Sequence, residues 1–213
     1  MPIPYRPGRR WTPVAALTAV LTAIAALLIH SLPGGSDPSL EPPAPVITAP
    51  PGSVRILEDD AYTRRLEQLL AGATQSIRVV MFSVVISDKS GPRNPVRRVL
   101  DRLIERHRAG VSVQVVLDRG VPPGRERPGE EAPSVNAFQE LLEAGVPVRW
   151  DEDERTTHVK CVVIDGRWCL MGSHNWTASA LGKNREWSLE IEDPAFAKDL
   201  TARIDRVWAI GHR

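Results

Sequence analysis

Cysteine is scarce in this sequence, and the scarcity excludes two classes of small protein. The chain has 213 residues and two cysteines, Cys161 and Cys169. Two thiols are too few for a disulfide framework or for a four-cysteine metal site. Aromatic side chains make up 5% of the residues, while 42% are hydrophobic and 25% are charged. Apart from its few aromatics, this composition is that of an ordinary globular protein.

An excess of either charge is also missing from the part of the chain that must fold. Of the 27 lysines and arginines three precede residue 53, and of the 26 acidic residues two do. Residues 53–213 therefore carry 24 basic and 24 acidic side chains. A body without net charge excludes the extended positive surface with which a general coat protein binds nucleic acid. A local basic patch is still compatible with this charge balance. This segment is long enough for one domain with one core.

Charged residues are absent from residues 14–32, a run of 19 mostly apolar residues. As a helix this run spans about 28 Å, close to the roughly 30 Å hydrocarbon core of a bilayer. Three arginines precede the run and none follows it before residue 53, so the positive-inside rule puts residues 1–13 in the cytoplasm. We expect a single-pass transmembrane anchor, with the body on the extracytoplasmic side. A cleaved signal peptide, which would make the body secreted, is the alternative.

Proline is concentrated between the apolar run and the body. Of the 19 prolines, 11 fall within residues 1–51, and seven of these lie in residues 33–52. Such a segment favours extended polyproline conformation and contains almost nothing that packs into a core. We interpret residues 33–52 as a semi-rigid linker between the anchor and the body.

In the body, the hydrophobic pattern alternates between periods of two and 3.6 residues. The β-branched runs Ser76–Ile86 and Val111–Leu117 predict strands buried on both faces, and Val146–Trp150 predicts a short strand. Four helices are predicted, at Asp60–Leu70, from Asn94-Pro95 to Gly110, from the cap at Ser134 to Gly145, and at Pro194–Ile210. The alternation predicts an α/β sandwich around a central sheet.

The residues that carry chemistry are concentrated in a predicted hairpin. Val159–Ile164 has strand composition, so His158 and Lys160 project from one face, two residues apart. Asp165 and Gly166 form a turn signal, and the chain then returns as a partner strand. The end of that strand approaches the point where the imidazole and the ammonium emerge. Cationic and neutral donors suit an anionic tetrahedral group such as a phosphodiester, and an imidazole can attack phosphorus or move a proton.

Six residues of this hairpin stand at the spacing H-x-K-x(4)-D-x(6)-G-S-x-N. They are His158, Lys160, Asp165, Gly172, Ser173 and Asn175. Six identities at fixed spacing occur by chance in roughly one chain in 100,000 or fewer. In these residues the sequence resembles the phospholipase D superfamily, and the resemblance extends over about residues 55–210, including Asp118 at a strand end. The single motif is similar to the short bacterial endonucleases and the mitochondrial single-motif members.

This resemblance implies a phospholipase D-like catalytic domain at residues 53–213, with a central mixed sheet. It implies a two-step displacement at phosphorus that uses no metal and no cofactor. His158 would attack phosphorus to give a phosphohistidine, while Lys160, Ser173 and Asn175 would bind the non-bridging oxygens. Glu186 falls where short members place a carboxylate that orients the nucleophile.

The resemblance also implies a partner for the site. The family uses two motifs per site, and a second histidine protonates the leaving group. This chain has one motif, because no other histidine is followed by lysine two positions later. A homodimer with a shared site is therefore implied.

Three assignments in the hairpin remain open at the level of sequence. Asp165 is either catalytic, in an orienting role, or structural, since aspartate before glycine is favoured by the turn alone. His174 occupies a variable position of the signature, and we interpret it as a bystander. A two-residue hairpin loop would place Cys161 and Cys169 on opposite faces, which argues against a bond between them.

For the substrate, we expect phospholipid head groups at a membrane surface. The predicted anchor delivers the site to lipid, and the body has no net charge. A nuclease acting on DNA or RNA is the alternative, favoured by the small size and the single motif. A catalytically inactive membrane-bound scaffold is a further alternative, against which the intact signature speaks.

Overall fold

The structure, a computed structural model, describes residues 52–86, 90–120, 132–152 and 154–212. The predicted cytoplasmic segment 1–13, the predicted anchor 14–32 and the predicted linker, except its last residue, lie outside the described residues. Within the described ranges, no helix has both the length and the apolar character needed to cross a membrane.

The described residues form seven strands and four helices. The strands are β1 (Ser53–Glu58), β2 (Ser76–Met81), β3 (Ser112–Leu117), β4 (Val148–Trp150), β5 (Lys160–Ile164), β6 (Trp168–Gly172) and β7 (Trp187–Glu192). The helices are α1 (Asp60–Gly72), α2 (Pro95–Arg108), α3 (Val135–Glu143) and α4 (Pro194–Ile210). All four predicted helices are confirmed, whereas β1 and β7 were not predicted.

The seven strands form one sheet in the order β1-β7-β6-β5-β2-β3-β4. Strands β2, β3 and β4 are parallel to one another, and the remaining neighbours are antiparallel. The predicted mixed sheet is confirmed. Because β5 runs against β2, the ends of the parallel strands meet the start of β5. We call this the Lys160 edge of the sheet, formed by Met81, Leu117, Trp150, Lys160 and Gly172.

Helices cover both faces of the sheet, as the sandwich prediction requires. On one face α1, α2 and α3 supply Leu66, Leu100 and Leu141, which are fully buried. Each such side chain contributes about 1.5–3 kcal/mol to folding. On the other face α4 packs Ile204 against a cluster that includes Cys161. The sheet is therefore packed between two layers of helices.

Side-chain caps explain where two of the helices begin. The Asn94 side chain accepts hydrogen bonds from the first turn of α2, and Asp193 does the same for α4. In both helices the next residue is proline, whose missing N–H costs nothing at this position. Ser134 precedes α3 as predicted, but it makes no side-chain cap. Its hydroxyl oxygen instead accepts from the Val84 N–H at 3.0 Å, and so ties α3 to the segment after β2.

The register of the β5–β6 hairpin corrects one prediction. Ile164 pairs with Trp168, so the loop between the strands holds three residues rather than two. Cys161 consequently lies opposite Met171 and on the same face as Cys169. The predicted placement of the two cysteines on opposite faces is wrong, although both thiols are free and buried. Burial raises the pKa of each thiol to about 12.

Candidate active site

The Lys160 edge brings together most of the residues that the sequence singled out. His158 and Lys160 stand at the start of β5, Ser173 and Asn175 follow β6, and Glu186 precedes β7. These three strands are neighbours in the sheet, so their ends lie side by side. The local sequence therefore folds an imidazole, an ammonium, a hydroxyl, an amide and a carboxylate toward one region.

His158 is exposed at this edge. Its ring centroid lies 4.4 Å from that of Phe82, with the ring planes tilted by 59°. Among the described residues, the imidazole has no hydrogen-bond partner, and only the backbone carbonyl of His158 accepts a bond, from Lys160 Nζ at 3.0 Å. A ring nitrogen of His158 is thus available to an incoming electrophile.

Lys160 is the buried cation of the site, with 8% of its surface exposed. Its Nζ lies 4.7 Å from the centroid of the Phe82 ring. Burial lowers the pKa of Lys160, and the carboxylates of Glu186 and Asp118 partly oppose that change. An ammonium has three N–H donors, and the His158 carbonyl uses one of them. The other two can bind phosphate oxygens.

Ser173 and Glu186 form a pair across the ends of β6 and β7. The Ser173 hydroxyl donates a short hydrogen bond to Glu186 Oε2, and the Ser173 oxygen accepts from the Trp187 N–H at 3.1 Å. Glu186 Oε1 accepts from Asn184 Nδ2 at 3.0 Å. Within the described part of the chain Glu186 makes no hydrogen bond to His158, so the predicted orienting contact is absent here.

His174 holds the loop that carries the signature serine. It is fully buried, and its ring stacks on Tyr62 with centroids 4.2 Å apart. Nε2 donates to the Asp59 carbonyl at 3.0 Å, because that oxygen can only accept. Nδ1 then accepts from the Ser188 hydroxyl at 2.8 Å. Burial lowers the pKa of His174, which agrees with this neutral tautomer. His174 is a structural residue beside the site.

The surroundings of two further signature residues, Gly172 and Asn175, are well defined. A Cβ at Gly172 would lie 2.4 Å from Ser188 Cα and 2.5 Å from the Trp187 carbonyl oxygen, so only glycine fits between β6 and β7. Asn175 Oδ1 is buried and has no hydrogen-bond partner among the described residues. This oxygen is therefore not committed to another described group of the protein.

Asp165 does not share the site. It lies at the other end of β5, about 16 Å from Lys160 for a five-residue strand. Its carboxylate accepts from the N–H groups of Thr74, Gln75 and Ser76. Burial alone would raise the pKa of Asp165, but these bonds bring it below its usual value. The structural alternative fits this placement, because Asp165 fastens the hairpin to the segment between α1 and β2.

No role was predicted for Phe82, which lies beside both His158 and Lys160, or for Asp118. Asp118 follows β3 directly, is 5% exposed and accepts from the N–H groups of Gly120 and Thr157. A buried strand that ends in aspartate was the available signal for Asp118. The aromatic residue after β2 carried no comparable signal.

An exposed apolar patch adjoins the site. A cavity of about 440 Å³ lies beside His158. Four exposed apolar side chains line it, and Val54, the fifth, lies on the same strand as Ile56. We call them the apolar patch: Val54, Ile56, Val159, Trp187 and Leu189. Among the described residues eight large hydrophobic side chains are exposed, and five belong to this patch.

No other described histidine offers a free ring nitrogen at the site. His174 uses both nitrogens. His107 lies in the last turn of α2. His212 pairs through its backbone with Trp150, three strand spacings or about 14 Å from β5.

The comparison with known families defines the class of the protein. Residues 66–208 match the family described as "Cardiolipin synthase, PLD-like domain". The match covers more than half of the chain, so the chain belongs to this family of phospholipase D-like domains. The resemblance inferred from the signature is confirmed.

Individual relatives agree with this placement. The mitochondrial cardiolipin hydrolase of Xenopus laevis is 33% identical over 150 residues, which are 70% of this chain and 62% of that protein. The human mitochondrial cardiolipin hydrolase is 31% identical over 152 residues, 70% of this chain and 52% of that protein. The chain thus spans between half and two thirds of these relatives.

Among solved structures, the fold is similar to that of Nuc, a phospholipase D family member from Salmonella typhimurium. The TM-score is 0.61 at 23% identity, over 75% of this chain and 96% of that chain. At this identity the likeness shows the fold alone.

Proposed function

We propose that this protein is a phospholipase D-type phosphodiesterase in which His158 forms a covalent phosphohistidine. The observation that supports the proposal is the exposed, unpartnered imidazole of His158 beside the Lys160 ammonium. The Ser173 hydroxyl and the Asn175 amide add neutral groups at the same edge. Together they fit a tetrahedral anion.

In the first step, a ring nitrogen of His158 forms a bond to phosphorus, and the bond from phosphorus to the leaving oxygen breaks. The leaving alcohol takes its proton from a second histidine. In the second step that histidine removes a proton from water, which attacks phosphorus and breaks the bond to His158. Lys160 would stabilise the charge that develops on the non-bridging oxygens.

We propose phospholipid head groups as the substrate. The relatives named above are cardiolipin hydrolases, and the predicted anchor at residues 14–32 would hold the domain beside a lipid surface. The neutral charge balance of residues 53–213 is compatible with this substrate.

A nuclease is the second candidate, for a different reason. Arg155, Lys183 and Arg185 are exposed on the two loops that lead to His158 and Glu186. None of the three forms an ion pair with another described residue. Such free cations suit the flanking phosphates of a nucleic acid.

One experiment separates the two substrates. The purified full chain is incubated in parallel with labelled phosphatidylcholine, labelled cardiolipin, single-stranded DNA and double-stranded DNA. We expect release of head group from lipid. Cleavage of DNA alone would favour the nuclease, and no turnover of any substrate would favour the inactive scaffold.

We also propose that the enzyme is a homodimer and that the apolar patch is the contact between the two copies. The site lacks the second histidine within the described residues, so another copy has to supply it. The apolar patch adjoins His158, and a two-fold axis through this region would bury the patch against itself while bringing two His158 side chains together.

The apolar patch can be tested with one charged substitution. Trp187→Asp, at a side chain that is 62% exposed in the described chain, should weaken the dimer and lower turnover at least about tenfold. Sedimentation equilibrium in density-matched detergent gives the oligomeric state. Ile210→Asp is the matched control, since Ile210 is 56% exposed and lies outside the apolar patch. An unchanged dimer for Trp187→Asp would contradict this interface.

Chelation should leave the activity intact. The proposed chemistry uses an imidazole, an ammonium and neutral donors, none of which needs a divalent ion. Turnover is measured before and after dialysis against EDTA, and we expect at most about a twofold change. Complete loss that is restored by a divalent ion would contradict the phosphohistidine mechanism.

A further inference from the structure

Asp118 is a buried carboxylate at the Lys160 edge. It follows β3 and is 5% exposed, and its own N–H donates to the Met81 carbonyl at 3.2 Å. It forms no ion pair with an arginine or a lysine of the described residues. A buried carboxylate outside an ion pair is destabilising unless other groups stabilise it, so the groups around Asp118 indicate its role.

One use is visible in the hydrogen bonds of Asp118. Its Oδ2 accepts from the Thr157 N–H, and its Oδ1 accepts from the Gly120 N–H. Thr157 directly precedes His158 in the chain. The bond therefore fixes the backbone immediately before the proposed nucleophile, in a segment that precedes β5 and has no ladder of its own.

A second use is electrostatic. Two carboxylates act on the Lys160 ammonium, Glu186 from the start of β7 and Asp118 from the end of β3. Among the described residues, the His158 carbonyl and the ring of Phe82 also face the ammonium. Within the described ranges, Glu186 accepts from the Ser173 hydroxyl and the Asn184 amide, whereas Asp118 accepts only from the backbone N–H groups of Gly120 and Thr157.

We propose that Asp118 is a positioning residue, which holds the backbone before His158 and places a negative charge near the Lys160 ammonium that would bind phosphate. The role in phosphate binding rests on the function proposed above. The hydrogen bonds that Asp118 accepts from Gly120 and Thr157 do not, because they are properties of the folded chain.

Asp165 provides a matched control for Asp118. Both carboxylates accept from backbone N–H groups next to the same hairpin, but Asp165 lies at the opposite end of β5. Asp118→Asn and Asp165→Asn therefore remove comparable charges, one beside Lys160 and one about 16 Å away.

The decisive measurement is the titration of Lys160 in the full chain by NMR. The chain has four lysines, so a sample labelled with ¹³C at lysine Cε gives few signals, and Lys160→Arg assigns the one of interest. Asp118→Asn should lower the pKa of Lys160 by about one pH unit, because a nearby negative charge is lost. Asp165→Asn should leave it unchanged. An unchanged Lys160 titration in folded Asp118→Asn overturns the proposal.

A second variant tests the proposal if Asp118→Asn does not fold. Asp118→Ser removes the charge but keeps a side-chain oxygen that can accept from a backbone N–H. It should lower the pKa of Lys160 in the same direction as Asp118→Asn, because the same negative charge is lost. A folded Asp118→Ser chain in which the pKa of Lys160 is unchanged overturns the proposal.

The dependence of kcat/KM on pH tests whether Asp118 contributes to phosphate binding. Lys160 must carry its proton to bind phosphate, so loss of that proton gives the alkaline limb of kcat/KM. For Asp118→Asn this limb should move to lower pH by about one unit, and for Asp165→Asn it should stay in place. An inactive wild-type chain would refute the proposed function, while the NMR titration would still decide the placement of Asp118.

Discussion

His158→Ala should abolish turnover, with a loss of roughly 10⁴-fold or more, and leave the fold intact. The imidazole is exposed and contacts Phe82, so its removal takes little from the core. Circular dichroism and the thermal midpoint measure the fold, and release of labelled head group measures turnover. His107→Ala, in the last turn of α2, is the control and should retain full activity.

The covalent intermediate gives this prediction a second readout. A phosphorus–nitrogen bond to histidine is labile to acid, so wild-type reactions are quenched with base. Mass spectrometry should then find a phospho-adduct on the peptide that contains His158, and none in His158→Ala. Turnover by His158→Ala near the wild-type rate, or an adduct on another residue, would contradict the assignment of the nucleophile.

Mixing wild-type chains with His158→Ala chains should lower the activity more than dilution of the wild-type chains alone would. If two His158 side chains form one site, activity follows the square of the wild-type fraction under free subunit exchange. An equal mixture then retains about a quarter of the activity, compared with about half for two independent sites. Turnover is measured across a series of mixing ratios after exchange has reached equilibrium.

A linear dependence on the wild-type fraction would refute the shared site. His107→Ala chains serve as the control for dilution and exchange, because they should leave activity constant at every ratio. The curvature is a property of assembly, so it tests the homodimer independently of the substrate.

Local pattern was sufficient to predict the hairpin and all four helices. The apolar spacing of α2, its cap at Asn94 and its proline are encoded within one stretch of sequence, and helix α4 has the predicted bounds. The signature residues around His158 are likewise close in sequence. A hairpin brings such residues together whatever the rest of the chain does.

Features that depend on distant residues were not predictable in the same way. Strands β1 and β7 pair across more than a hundred residues, and the exposed apolar side chains of Ile56 and Trp187 gave neither strand a buried pattern. The hydrogen bond from Thr157 to Asp118 joins two loops whose approach is set by the whole sheet. The face of the sheet on which each cysteine lies depended on one additional residue in the loop between β5 and β6. The spacing of residues in the sequence does not reveal that loop length.

The direction of β1 decides where other molecules can be attached without harm. Ser53 pairs with Glu192 at the end of the sheet that holds Asp165, so the chain enters β1 on the side away from His158. Helix α4 runs back across the sheet, and His212 then pairs with Trp150 at the Lys160 edge. A fluorescent protein or a solid support joined ahead of β1 would thus leave the reactive edge open to bulk solution. The same cargo joined behind α4 would stand beside that edge and compete with a large substrate for space.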